Sequence, residues 1–193
     1  MLNCIYTRKL RHNCEKSNLK FQVVVKKNLV LLGMMGVGKT TIGKIVAKKQ
    51  DMEFIDTDRS IEKKCSMSIV EIFKKKGEKF FRTEEQREVL KSIRKSNCVI
   101  ALGGGAFINE AIRNDVLKNS ISVWLDIDLK TLNERIKWSK KRPLLNNENN
   151  KKKIDELYSE RKKIYKLANH KIECQKLDKE SVVKKIITFY EKY

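Results

Sequence analysis

The stretch Gly33-Met34-Met35-Gly36-Val37-Gly38-Lys39-Thr40 fits G-x-x-x-x-G-K-[ST], a loop built to hold a polyphosphate. Its glycines let backbone N–H groups face the anion, and the helix that should follow adds positive potential at its N-terminus. Lys39 has the reach and charge for β- and γ-phosphates, and the Thr40 hydroxyl is a hard oxygen suited to Mg2+. A second chemical group is Asp56-Thr57-Asp58. Two positions apart on an extended chain, the carboxylates of Asp56 and Asp58 point to one side, which predicts a metal ligand and a substrate contact beside the phosphate loop. The competing reading gives one of them to capping a helix that starts at Arg59; Asp58 is assigned to function, with capping compatible. Asp126 also stands at a strand end, but the metal role goes to Asp56, on the expectation that its strand neighbours the phosphate loop. The run Gly103-Gly104-Gly105 predicts a close backbone approach to a ligand. Arg82 sits near a helix start, where the dipole opposes a cation, and this marks it out from ordinary surface charge. Arg142, in the polar, turn-rich stretch from Lys140 onward, reads as part of a mobile lid that carries cations.

These residues need a scaffold that gathers strand ends. Segments 28–32, 52–56, 98–102, 121–126 and 171–174 read as short buried strands. Helical patterns fall at 41–49, 60–76, 78–95, 107–117, 129–136, 154–168 and 180–193, with Ser68-Ile69-Val70-Glu71 as a capping box and Gly77 as a helix stop. Phe81, Val89, Leu90 and Ile93, and later Val183, Ile186, Ile187 and Tyr190, are the expected core faces. Strands alternating with helices behind a phosphate loop predict an α/β fold: three layers, with helices on both faces of a five-stranded parallel sheet. Ligands gather at the carboxyl edge of such sheets.

A length of 193 residues suits one domain with a substantial core. Residues 1–26 are basic and contain no signal-peptide apolar stretch; they are expected to be a poorly ordered extension ahead of a domain at 27–193. Five scattered cysteines with no C-x-x-C pair fit neither a disulfide framework nor a zinc site, and favour a reducing cytoplasm. No apolar run approaches the ~18 residues of a membrane span, so no membrane partner is expected. The formal charge of +20 is mostly lysine spread along the whole chain. It reads as a bias toward Lys and Asn rather than a nucleic-acid footprint, although it should still attract anionic substrates.

Five pieces, taken in order, resemble the shikimate kinases, small-metabolite kinases with a nucleoside-monophosphate-kinase-like fold. They are the phosphate loop through Thr41, Asp56-Thr57-Asp58, Phe81-Arg82-x-x-Glu85, Gly103-Gly104-Gly105, and Arg142-Pro143-Leu144-Leu145 followed by Arg161 in Glu160-Arg161-x-x-x-Tyr165. The resemblance runs from about residue 27 to the C-terminus. It implies a phosphate-loop kinase fold with an acceptor-binding part at about 58–95 and a lid at about 137–153. The activity it implies is ATP-dependent phosphorylation of the 3-hydroxyl of shikimate, with Mg2+. By position, Gly36, Val37, Gly38, Lys39, Thr40 and Thr41 would hold ATP, Thr40 would ligate Mg2+ and Asp56 would hold the ion through water. Asp58 would orient or deprotonate the acceptor hydroxyl, Arg82 and Arg161 would clamp its carboxylate, and the Gly104 backbone would lie against it. Arg142 would close onto the phosphates, and Arg135 would face the adenine. The chain departs from the pattern at Ala101, where many members carry Ser or Thr, and the second basic residue on the adenine side has no clear counterpart beyond nearby Lys176. A monomer is expected.

Three other readings compete on the residues. A kinase of another hydroxy acid such as gluconate would share the phosphate loop but need not keep the acid pair, Arg82 and the glycine run together. A phosphate-loop switch or nucleic-acid-dependent ATPase is encouraged by charge alone, and the Asn-Lys-x-Asp of guanine switches is missing: Asn150-Lys151 is followed by Lys152-Lys153. An inactive binding module is disfavoured by the retained Lys39, Thr40 and Asp58.

Overall fold

The computed structural model describes residues 26–137 and 148–193. Most of the expected N-terminal extension, and Arg142 with its neighbours, lie outside the described residues. Strand β1 (Asn28–Leu32) is buried along its whole length, as a central strand covered on both faces must be. The same holds for β3 (Cys98–Ala101) and β4 (Ser120–Asp126), whereas β2 (Glu53–Asp56) and β5 (His170–Glu173) leave side chains in water. The five strands form one parallel sheet in the order β2-β3-β1-β4-β5. The connection leaving β1 runs to β2 on one side, and that leaving its neighbour β3 crosses to β4 on the other; a ligand crevice opens at such a switch point, outside the carboxyl ends of the two strands.

That order corrects one expectation. β2, which carries Asp56, does not neighbour β1; β3 lies between them, and the strand paired to β1 on the other side is β4, which ends in Asp126. Periodicity reports burial and carries no information about which buried strand pairs with which.

Among the described residues, seven helices accompany the sheet: α1 (Lys39–Lys49), α2 (Thr57–Cys65), α3 (Ile69–Ile93), α4 (Glu110–Asn119), α5 (Leu129–Lys137), α6 (Glu148–Tyr165) and α7 (Lys179–Tyr190). Glu71 N–H donates to Ser68 Oγ at 3.3 Å and Ser68 N–H to Glu71 Oε2 at 2.9 Å, which is the expected capping box at the start of α3. Gly77, at φ 81° and ψ 166°, breaks the helical path inside α3. The helix expected at 107–117 divides into a 3-10 turn, Ala106–Ile108, and α4, because the Asn109 side chain accepts from Ile112 N–H and starts a new helix there. α6 begins at Glu148, six positions before expectation, in a stretch whose Glu148 and three lysines, Lys151 to Lys153, are good helix formers.

The main core packs around the sheet, with Trp124, Tyr165, Tyr190 and Phe107 among its largest buried side chains. Ile61, Ile72 and Phe81 form a second cluster where α2 meets α3. Of the expected core positions, Leu90 and Ile187 are only partly buried. Among the described residues, no helix is long and apolar enough to cross a membrane.

Candidate active site

Gly38 closes the phosphate loop at φ 105°, a left-handed conformation open to glycine. Among the described residues, no side chain caps the α1 N-terminus, and its first turn holds no acid. The first-turn N–H groups are therefore left for an anion. Lys39 Nζ donates to Gly33 O at 2.8 Å and to Met34 O at 3.0 Å, which stations the ammonium along the loop. Thr40 Oγ1 donates to Asp56 Oδ2 at 2.7 Å, while Asp56 Oδ1 accepts from Arg59 N–H at 3.2 Å. Asp56 thus caps α2 and still presents an oxygen to the site. A hydroxyl beside a carboxylate fits Mg2+, which takes one or two protein oxygens and completes its shell with water and phosphate. Consistent with so sparse a donor set, the described residues hold no group of three His, Cys, Asp or Glu able to bind a metal. Asp126 is engaged elsewhere: Tyr158 OH donates to it at 3.1 Å and Lys171 Nζ pairs with it at 3.0 Å.

Asp58 reaches the site differently from expectation. β2 ends at Asp56 and α2 begins at Thr57, so Asp58 lies in a helical first turn, not on an extended chain. It nevertheless joins Lys39, Thr40, Asp56, Ala101 and Gly104 around one cleft of about 300 Å³. Buried Thr57 ties this corner together: its hydroxyl donates to Ala101 O at 3.3 Å and accepts from Gly103 N–H at 3.1 Å.

The glycine run makes room for charged groups. A Cβ on Gly103 would stand 2.4 Å from Asp58 Oδ1 and 2.9 Å from Glu85 Oε1. One on Gly105 would stand 2.8 Å from Arg82 Nη1, and one on Gly104 would stand 3.4 Å from Met35 N and 3.5 Å from Arg161 Nη1. Asp58, Arg82 and Arg161, distant in sequence, therefore meet on three consecutive residues. Arg82 is held on two sides: Nη1 donates to Glu85 Oε2 at 2.8 Å, while Nε and Nη2 donate to Glu78 Oε1 at 3.2 and 3.1 Å. Glu85 is 1% exposed, and among the described residues its Oε1 has no hydrogen-bond partner. Burial pushes its carboxyl above the usual range against the pull of Arg82, with a further push from Asp58. Arg161 Nη1 donates to Gly104 O at 3.2 Å, and Tyr165 OH donates to the same oxygen.

On the far side of the phosphate loop, Arg135 Nη1 donates to Val37 O at 3.3 Å. Arg135 shares a second cleft with Val37, Gly38, Thr41, Cys174 and Leu177. Burial pushes the Cys174 thiol up to about 11, which leaves it an unreactive wall. The described part of the expected site is thus brought together, and Arg142 is the one assigned residue outside it. The sequence reading gave no role to Thr57, Glu78, Glu85 or Tyr165. Thr57, Glu85 and Tyr165 stand inside the motifs named above, but a motif does not show which groups they meet.

Phosphoryl transfer asks mainly for positioning and charge neutralisation. Here a cationic loop meets a wall of mixed carboxylates and guanidiniums at one sheet edge. Fold and site together define a phosphate-loop kinase acting on a small hydroxylated acid. Comparison with known proteins agrees. The family model described as shikimate kinase matches residues 35–191. The shikimate kinase of Bartonella henselae is 44% identical over 165 residues, which are 86% of this chain and 79% of that protein. The structure of shikimate kinase from Acinetobacter baumannii in complex with shikimate superposes with a TM-score of 0.81 at 33% identity, covering 86% of this chain and 94% of that one. A shikimate kinase from Aquifex aeolicus gives 0.76 at 36% identity, covering 85% and 96%. The chain belongs to the shikimate kinase family.

Proposed function

We propose that this chain transfers the γ-phosphoryl group of ATP to the 3-hydroxyl of shikimate, giving shikimate 3-phosphate and ADP on the route to chorismate and the aromatic amino acids. The observation that carries the reading is the meeting of Asp58, Arg82 and Arg161 on Gly103, Gly105 and Gly104, beside the phosphate loop. Two guanidiniums match a carboxylate through paired donors, and a carboxylate between them and the nucleotide suits ring hydroxyls. In this reading Arg82 and Arg161 hold the acid group, and the Gly104 backbone supports the ring. Asp58 orients the 3-hydroxyl and receives its proton as that oxygen bonds to the γ-phosphorus and the bond to the β–γ bridging oxygen breaks. Backbone groups of Gly36, Val37 and Gly38, with Lys39, Thr40 and Thr41, hold the phosphates. Thr40 and Asp56 would hold Mg2+, whose charge screens the phosphate oxygens. Arg135 lies against the adenine, and Arg142 belongs to a lid that closes over the phosphates. The proposed layout places the domain at 27–193, with the acceptor part at about 58–95 and the lid at about 137–153. The chain acts in the cytoplasm as a monomer, with neither nucleic acid nor membrane as partner.

The test is ADP release from Mg-ATP with shikimate, gluconate, quinate or RNA added singly. Shikimate-dependent turnover of about 1–100 s⁻¹ is the expected result. A response to gluconate or RNA alone would overturn the acceptor and keep the phosphate loop.

A further inference from the structure

Tyr165 touches neither proposed substrate site through a charged group, yet it stands where the parts of the site meet. It lies one helical turn beyond Arg161 on α6, so both side chains project from one face. Its ring is 1% exposed and sits 6.0 Å from that of Trp124, at a 45° tilt. Its hydroxyl donates to Gly104 O, the oxygen that Arg161 Nη1 also reaches at 3.2 Å. A carbonyl has two lone pairs, and here both face α6. The same hydroxyl is 3.9 Å from Met34 Sδ in the phosphate loop. Gly104 itself rests on that loop, since a Cβ there would approach Met35 N at 3.4 Å and Gly33 O at 3.8 Å. Burial pushes the phenol up to about 12, so it keeps its proton to donate across the working range.

We propose that Tyr165 is a positioning residue for the acceptor, acting through the Gly104–Gly105 peptide and Arg161. The peptide is planar, and its oxygen and the following N–H point in opposite directions. Holding the oxygen toward α6 fixes where the Gly105 N–H points and sets the plane of the wall on which Arg82 and Asp58 converge. It also gives the Arg161 guanidinium a fixed acceptor, leaving its remaining N–H groups for the substrate carboxylate. The phosphate loop depends on this hydroxyl far less: Lys39 already bonds to Gly33 O and Met34 O, and Val37 N–H donates to Met34 O at 3.4 Å. The effect of the hydroxyl is therefore directed to the acceptor side. The inference rests on the shikimate reading, because it assumes that Arg161 meets an acceptor carboxylate.

The experiment compares wild type, Tyr165→Phe, Arg161→Lys and the double variant in the full chain. The KM for acceptor, the KM for ATP and kcat are measured alongside thermal melts. Phe keeps the ring against Trp124 and removes only the hydroxyl. The expected result for Tyr165→Phe is a rise of about five- to tenfold in the acceptor KM, the scale of one ordinary hydrogen bond. The ATP KM should stay within about twofold, and the double variant should raise the acceptor KM by less than the product of the two single effects, since residues acting through one another are non-additive. Three results would overturn the proposal: an unchanged acceptor KM, equal rises for both substrates, or a variant that melts below the assay temperature, which would leave the tyrosine a purely structural role. The acceptor used is the one that wild type turns over, so wild type's own response to shikimate judges the functional reading separately.

Discussion

At the scale of single residues, the site is governed by missing side-chain volume as much as by charge. Gly103→Ala would drive a Cβ to within 2.4 Å of Asp58 Oδ1 and 2.9 Å of Glu85 Oε1. Both carboxylates must then move by a fraction of an ångström to an ångström. Displacement on that scale costs about 10²-fold in rate, and steady-state kinetics on the alanine variant should show that loss in kcat/KM while circular dichroism reports an unchanged fold. Glu85 makes a prediction in pH. Its carboxyl titrates above the ordinary value of 4.5 because it is buried, and only the ionised form pairs fully with Arg82. The shikimate KM of the wild type should rise as pH falls through that elevated value, and Glu85→Gln, which cannot titrate, should flatten the profile. Stability carries the opposite sign. A carboxyl whose folded pKa is raised contributes fully below 4.5 and loses that contribution as pH rises through the folded value. Melting curves should therefore show Glu85→Gln gaining on wild type as pH rises from 4.5 through the elevated folded value. Lys39, Thr40, Asp56, Asp58 and Arg82 stood out by residue type and position, whereas Arg161 took its role only from the family resemblance. Thr57 and Tyr165 were given no role because theirs is defined by partners 44 and 61 positions away, and local pattern carries no such information.

At the scale of elements, the sequence pattern located most strand and helix ends within a few residues, missed the start of α6 by six, and misread two junctions. It kept the chain extended through Asp58, whereas Asp56 turns it into α2 by accepting from Arg59 N–H. It also set β2 beside β1. Both errors have one root: where a strand stops and whom it pairs with are settled by the packing of whole elements. Gly77 was legible, because a helical pattern interrupted by glycine signals a backbone break. Its φ of 81° and ψ of 166° are costly for any residue with a Cβ, and nothing lies within 4 Å of where one would sit. Gly77→Ala should therefore destabilise by about 1–3 kcal/mol through backbone strain alone. Calorimetry should show a Tm drop of about 2–4 °C per kcal/mol for a chain of this size. Arg82 and Glu85 lie on the half of α3 beyond this break, so acceptor affinity measured well below the Tm tells whether the bend also sets their position.

At the scale of the whole molecule, the charge of +20 surrounds a site whose proposed substrates are both anions. The screening length shrinks from about 30 Å at 0.01 M salt to about 10 Å at 0.1 M. Long-range attraction should fade across that interval, so kcat/KM for shikimate should fall with added salt while kcat holds nearly constant. An unchanged kcat/KM would place all useful charge within contact range. The strand order has a consequence for synthesis. β1 leaves the ribosome first but pairs with β3 and β4, whose last residue is Asp126. Until that residue emerges, the strand that carries the phosphate loop has at most β3 beside it, and the loop that follows lacks its finished base. A nascent chain should therefore gain its full nucleotide affinity only once β4 has emerged. ATP can stabilise this fold only after β4 is made, and chains that stall before it lack that ligand's help in escaping proteolysis.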